Sequence, residues 1–288
     1  MKNINTRRYR LIISCPDQVG IVAAVSGFLA DHNGWILEAN HHSDASTNWF
    51  FMRQEIRADS LPFDIEEFRS RFSEIADQYK MNWYISDSEV PKKVVLLVSS
   101  EEHCLADLLY RWRTKEYDFE VVAVISNHDQ LRGYVEWHNI PYYHIPVKNG
   151  DKVSHFKQVE EKIDQHKADV VVLARYMQIL PANICHKYEG KIINIHHSFL
   201  PSFAGAKPYH QAYNRGVKLI GATCHYVTAD LDAGPIIEQN VMRVTHEDNV
   251  EKMKRLGRDA EKATLARGLY YHLEDRVIVH NDKTIVFP

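Results

Sequence analysis

Cysteine is scarce: four in 288 residues (Cys15, Cys104, Cys185 and Cys224), with no Cys-x-x-Cys among them. That excludes a disulfide framework or a thiolate zinc cluster, and the four read as reduced, buried thiols. No apolar run approaches the ~18 residues of a membrane-spanning helix. The opening MKNINTRRYRLIIS has no apolar core of signal-peptide length, so the expected location is cytoplasmic, with no membrane partner. Long Lys/Arg runs are missing too. Thirty-five basic against 38 acidic residues leave a formal charge of −3, which gives no general attraction to nucleic acid. Histidines are many, at 17, yet none falls into His-Glu-x-x-His or a His-x-Glu with a distant Cys-x-x-Cys. No metal is expected. Repeats and low-complexity tracts are absent. What remains is an ordinary globular mixture, 45% apolar and 25% charged, long enough for two moderate domains with their own cores.

The first of these spans residues 1–86. Arg8–Ser14 reads as a buried strand and Asp17–Gly20 as a turn. A helix then places Ile21, Val25, Phe28 and Leu29 on one face, with Gly34 as its stop. Trp35–Ser43 and Trp49–Ile56 follow as strands around a polar turn at Asp44–Asn48. In the next helix Ile65, Phe68, Phe72, Ile75 and Ala76 recur at helical offsets, and Met81–Ser86 closes the unit as a strand. The order βαββαβ predicts a ferredoxin-like sandwich with two helices on one face of a four-stranded sheet. Residues 87–93, polar and carrying Pro91, form the linker.

From 94 to 288 the pattern changes. Mainly apolar runs at Val94–Ser100, Phe119–Ser126, Ile140–Val147, Asp169–Ala174 and Lys191–Ile195 alternate with helical stretches near Cys104–Arg113, Leu131–His138 and Phe156–His166. Such alternation predicts an α/β fold, Rossmann-like, with a mostly parallel sheet covered on both faces. A strand-like run Ile220–Val227, a long helix with Thr245 as its cap, and a terminal hairpin turning at Asn281-Asp282 complete the reading.

Open parallel sheets bind ligands beyond the carboxyl ends of their strands. Lys191–Ile195 runs into Asn194-Ile195-His196-His197-Ser198-Phe199-Leu200-Pro201, and alternation puts Asn194 and His196 on one side. A second polar cluster runs from His225 to Ile236, with Asp232 in a turn before Gly234-Pro235. An amide donor, an imidazole and a carboxylate suit acyl chemistry, because attack on a carbonyl builds charge on oxygen that the first two can bind. From spacing alone, strand-end capping and an Asx turn explain the same residues. The similar run His41-His42-Ser43 has no Leu-Pro after it and reads as a solvated strand end.

The longer strings, NIHHSFLPSF and HYVTADLDAGPII, closely resemble the formyltetrahydrofolate-dependent formyl-transfer family over roughly residues 94–245. The resemblance implies Asn194, His196 and Asp232 as catalytic residues, with His225 supporting them. It implies Met177, Gln178, Ile179 and Leu180, with Asp230, as folate-binding residues. Members that formylate a phosphoribosyl amine carry a glycine-rich phosphate loop after the first strand. Here that place reads Ser99-Ser100-Glu101-Glu102, where Ser99 and Glu102 fit a capping box and two carboxylates repel an anionic acceptor.

Water is then the remaining nucleophile. The chain is similar, over its whole length, to the deformylase branch of the family, which implies hydrolysis of 10-formyltetrahydrofolate as substrate, without a prosthetic group. The alternative is formyl transfer to an unidentified amine. The N-terminal part resembles an ACT domain through Cys15-Pro16-Asp17-Gln18-Val19-Gly20-Ile21. That implies a homo-oligomer formed through this domain and an effector loop at Asp17, Gln18, Val19, Gly20 and Ile21 for a small amino acid such as glycine or methionine. An N-cap turn with a dimerisation surface explains the loop equally well.

Overall fold

The computed structural model describes residues 7–201 and 208–288. By its contacts the chain divides into two compact units. The first holds β1 (Arg8–Pro16), α1 (Ile21–Asp31), β2 (Trp35–Asp44), β3 (Trp49–Arg57), α2 (Ile65–Gln78) and β4 (Asn82–Asp87). Its four strands pair antiparallel in the order β2-β3-β1-β4. Alternation along β1 divides its side chains. Leu11, Ile13 and Cys15 join Val25, Phe28, Phe68 and Phe72 of the helices in one core, where Phe28 meets Phe68 edge-on at 5.3 Å between centroids. Asp64 caps α2, its carboxylate accepting from the backbone N–H of Glu66 and Glu67. Asn33, not Gly34, turns the chain out of α1 with φ 58, and the Gly34 N–H closes on the Leu29 carbonyl at 2.7 Å.

The other face of this sheet is covered by the far end of the chain. Asp275–Ile278 and Ile285–Pro288 belong to the first unit, whereas the sequence pattern assigns residues 94–288 to the second. Ile12 and Phe51 pack with Ile278 and Phe287. Arg53, fully buried, pairs with Glu38 at 3.0 Å and Glu55 at 2.9 Å, and Arg276 reaches the same Glu38 at 2.9 Å. Sequence periodicity cannot reveal a strand completed by residues so distant.

The second unit begins at Lys92. It runs β5 (Lys92–Val98), α3 (His103–Arg113), β6 (Phe119–Ser126), α4 (Arg132–Glu136), β7 (Tyr142–His144), α5 (Lys152–Gln165), β8 (Val170–Leu173), α6 (Ala182–Lys187), β9 (Ile192–His196), α7 (Pro208–Arg215), β10 (Leu219–Tyr226), β11 (Ile236–Arg243) and α8 (Val250–Leu273). Seven strands pair in the order β11-β10-β9-β8-β5-β6-β7. The pairs from β9 through β7 are parallel, while β10 and β11 run antiparallel at one end. Val94–Val98 are all buried. Val95 and Leu97 pack with Phe156, Val159 and Ile163 of α5 and with Ile184 and Cys185 of α6, which is why β5 reads as an unbroken apolar run.

Two expected caps are corrected. Asn249, not Thr245, caps α8, accepting from the Lys252 N–H at 2.9 Å, because Thr245 is taken by Asp248. Ser99 does not cap α3. Its hydroxyl donates to Asn127 Oδ1 at 2.7 Å and accepts the Met177 N–H at 2.9 Å, so it ties the end of β5 to the segment after β8. The hairpin β12 (Val277–His280) and β13 (Lys283–Val286) closes the chain, turning through Asn281 at φ 53. No helix of the described residues is long and apolar enough to cross a membrane.

Candidate active site

Asn194 and His196, two residues apart on β9, share one face of the strand. Across the antiparallel ladder His225 of β10 stands opposite Asn194, and Thr223 opposite His196. Cross-strand neighbours lie close enough for side chains to touch, and Asn194 Nδ2 lies 3.1 Å from His225 Nε2. The β10–β11 register slips between Cys224 and His225, a bulge of the kind that re-aims a side chain.

Proton positions follow from these partners. His225 Nδ1 lies 2.8 Å from the Tyr226 carbonyl, which can only accept, so Nδ1 carries the proton. Nε2 then accepts, and the Asn194 amide turns its nitrogen toward it, with one N–H left for another acceptor. Burial, the leading cause, keeps the His225 pKa below its ordinary value.

Asp232 comes from the loop after β10, in the left-handed region with φ 56, which Asp and Asn adopt more readily than other side chains. Its Oδ1 lies 3.2 Å from His196 Nδ1 and 3.9 Å from His225 Nε2. The hydrogen bond with His196 leads in lowering the Asp232 pKa. Burial opposes it, and positive charge on His196, His225 or His197 would lower it further. His196 is buried, and its other nitrogen, Nε2, has no hydrogen-bond partner among the described residues. Gly234 sets the loop's path: a Cβ there would stand 1.8 Å from the Tyr226 carbonyl oxygen.

These four side chains line a cavity of about 460 Å³ together with Met177, Gln178, Ile179, Leu180 and Asp230. All nine residues singled out for the site are therefore brought together. Met177 and Ile179 are 55% and 60% exposed, an apolar wall that a flat ring can cover. Sequence reasoning missed His197, Thr228 and Leu231 in the lining. Each adjoins a motif residue, which was the signal available. Also missed was the support beneath. Thr223 Oγ1 donates to the Ser198 carbonyl at 2.9 Å and accepts the Leu200 N–H at 3.0 Å, while Gln239 holds the Leu200 carbonyl at 3.0 Å.

Elsewhere, in the first unit, Asp17–Gly20 form the turn before α1. Val19 is fully exposed, the Ser43 hydroxyl donates to Asp17, and Gln18 reaches the Tyr79 carbonyl at 3.5 Å. Ile21 is buried in the helix-side core, so its side chain is not part of the exposed turn.

Residues 92–269 match the formyl transferase family. The chain is 46% identical over 284 residues to a formyltetrahydrofolate deformylase of Bacillus subtilis, covering 98% of this chain and 95% of that one. The crystal structure of a formyltetrahydrofolate deformylase from Pseudomonas syringae pv. tomato superposes with a TM-score of 0.98 at 63% identity, over 100% of this chain and 96% of that chain. One from Burkholderia mallei gives 0.92 at 42% identity, over 98% and 100%.

Proposed function

The chain belongs to the formyl transferase family and, within it, to the formyltetrahydrofolate deformylases, and on that premise we propose how its pocket hydrolyses 10-formyltetrahydrofolate to formate and tetrahydrofolate. The folate is the substrate. Its pterin lies against Met177, Ile179 and Leu180, with polar edges met by Gln178 and Asp230, and its formyl oxygen lies between Asn194 and His196. Asp232, kept ionised by His196, orients a water with its second carboxylate oxygen and takes a proton as the water attacks the formyl carbon. The resulting oxyanion accepts from the unused Asn194 N–H and from the His196 imidazolium through Nε2. The C–N10 bond then breaks, and N10 leaves with the proton held by Asp232. The observation carrying this reading is the 3.2 Å pair of His196 and Asp232 set beside Asn194 in one apolar-walled cavity.

Incubation with 10-formyltetrahydrofolate in buffer, with no amine present, is expected to release formate and tetrahydrofolate in equal amounts. A requirement for an added amine acceptor would instead make the chain a formyltransferase. Gly234→Ala is expected to displace the Asp232 loop. Overpacking of this kind costs ~1–3 kcal/mol, and misplacing a reacting group by 1 Å lowers turnover by about 10²-fold. Melting temperature and formate release report the two effects. A mutant matching the parent in both would show the close approach to be unimportant.

The N-terminal unit we read as an ACT domain, on its βαββαβ order and antiparallel sheet. Its role is then regulation and assembly into a homo-oligomer, with the exposed turn Asp17–Gly20 as the effector loop. Glycine or methionine is expected to change the deformylation rate. A screen of the common amino acids with neither binding nor rate change would leave the unit an assembly element only. A cytoplasmic setting fits the four unpaired, buried cysteines.

A further inference from the structure

A buried charge cluster beside the pocket takes no part in the steps above. Glu261, on α8, is 1% exposed, yet groups from three other elements converge on its carboxylate. His103, the first residue of α3, approaches through Nε2 at 2.8 Å. Tyr209, on α7, donates at 2.7 Å, and Arg175, just after β8, pairs at 3.3 Å. Burial pushes the Glu261 pKa up. The hydrogen bond from His103, the charge of Arg175 and the hydrogen bond from Tyr209 outweigh it and hold the group below its ordinary value. The carboxylate is therefore an anion inside the protein. Helix α8 is shaped to admit Tyr209: a Cβ on Gly257, one turn before Glu261, would stand 2.0 Å from the Tyr209 oxygen. Glycine weakens a helix interior, so its place there reads as clearance for that phenol.

The same cluster has the spacing of a metal site, since His103, Cys104 and Glu261 bring ligand atoms within 4.8 Å of one another. The chemistry favours an ion cluster instead. The carboxylate already serves three partners, one of them a guanidinium, and burial lifts the Cys104 thiol well above its ordinary value, which keeps it protonated.

The cluster meets the pocket at two points. Arg175, itself at φ 65, opens the segment that carries Met177–Leu180. The next two residues are anchored as well, Tyr176 to His155 at 2.5 Å and the Met177 N–H to Ser99 at 2.9 Å. Second, the His197 ring lies 5.2 Å from that of His196 and 6.3 Å from that of Tyr209. We propose that Glu261 is a positioning residue for deformylation, a resident anion that fixes Arg175 and with it the turn that presents the folate-binding segment. This rests on the reading that residues 177–180 hold the folate. Without Glu261 the guanidinium becomes an uncompensated buried cation, and the segment loses its first anchor.

Glu261→Ala tests this, with folding checked by thermal unfolding and kcat and KM for 10-formyltetrahydrofolate measured with and without acetate. KM is expected to rise about tenfold or more, with kcat changed less. Acetate, small enough to replace the missing carboxylate, restores a saturable part of the loss and leaves the parent enzyme unaffected. An unchanged KM, or a loss that acetate does not touch, overturns the proposal. Should this variant not fold, Arg175→Gln decides, because Glu261 keeps His103 and Tyr209. The same rise in KM is expected there without acetate response, and an unchanged KM overturns the proposal. Formate release by the parent enzyme without an amine is scored separately, so failure of the hydrolytic reading is not mistaken for failure of this one.

Discussion

Asp232→Asn is expected to lower kcat by about 10²-fold or more, the usual contribution of a positioned base, with the fold retained and the melting temperature lowered modestly by loss of the charge paired with His196. The substitution is a clean one. Asparagine has the same shape, and it tolerates the left-handed backbone that Asp232 adopts at φ 56. Its amide oxygen can still accept from His196 Nδ1. What it cannot do is carry negative charge beside His196, or take a proton from the attacking water. The folate wall lies on the segment after β8 and is untouched, so KM should move little. Formate release at saturating formyl-folate is the measurement, and near-parental turnover would remove Asp232 from the mechanism.

His196→Ala should cost about 10²–10³ in kcat, as loss of one oxyanion donor does, and it carries a second signature in acid. Asp232 has a depressed pKa whose leading cause is its hydrogen bond with His196. A carboxyl with a depressed folded-state pKa contributes stability above its unfolded value and loses it as the pH falls through the folded value. Removing His196 removes that contribution at neutral pH but has little left to remove in acid. The gap in melting temperature between parent and mutant should therefore narrow as the pH drops below about 4, near the unfolded carboxyl pKa. A gap that stays constant from pH 7 downward would show that the pair does not couple through the Asp232 charge.

Much of this was legible in the residues, for reasons that differ from place to place. Val94–Val98 reads as a strand because both faces are buried, and Phe119–Ser126 because all but Glu120 and Val122 are. The pair Asn194 and His196 was found by a period of two. Asp232 needed more than periodicity, because the loop that carries it folds back over β9 and only the resemblance of HYVTADLDAGPII connected the two. Support from afar left no trace. Ser99 reads as a cap until its partners Asn127 and Met177 are known, and Thr223 reads as an ordinary strand residue. The edge strand β11, with Glu238, Gln239 and Asn240 at its centre, lacks the apolar run that marked its neighbours. Glu261, midway along a 24-residue helix, looks like part of a solvent face, because charge in a helix says nothing about burial until the packing is known.

The first unit is discontinuous in sequence, and that gives synthesis a timetable. Its sheet is translated by Pro91, but the residues that cover Ile12 and Phe51 begin only at Asp275. At roughly 5–20 residues per second, the intervening stretch takes the ribosome about 10–40 s. For that interval the nascent chain carries a half-dressed sheet whose bare side offers apolar surface and the Arg53–Glu55 ion pair to water. Folding of this unit is finished by residues made long after its own sheet.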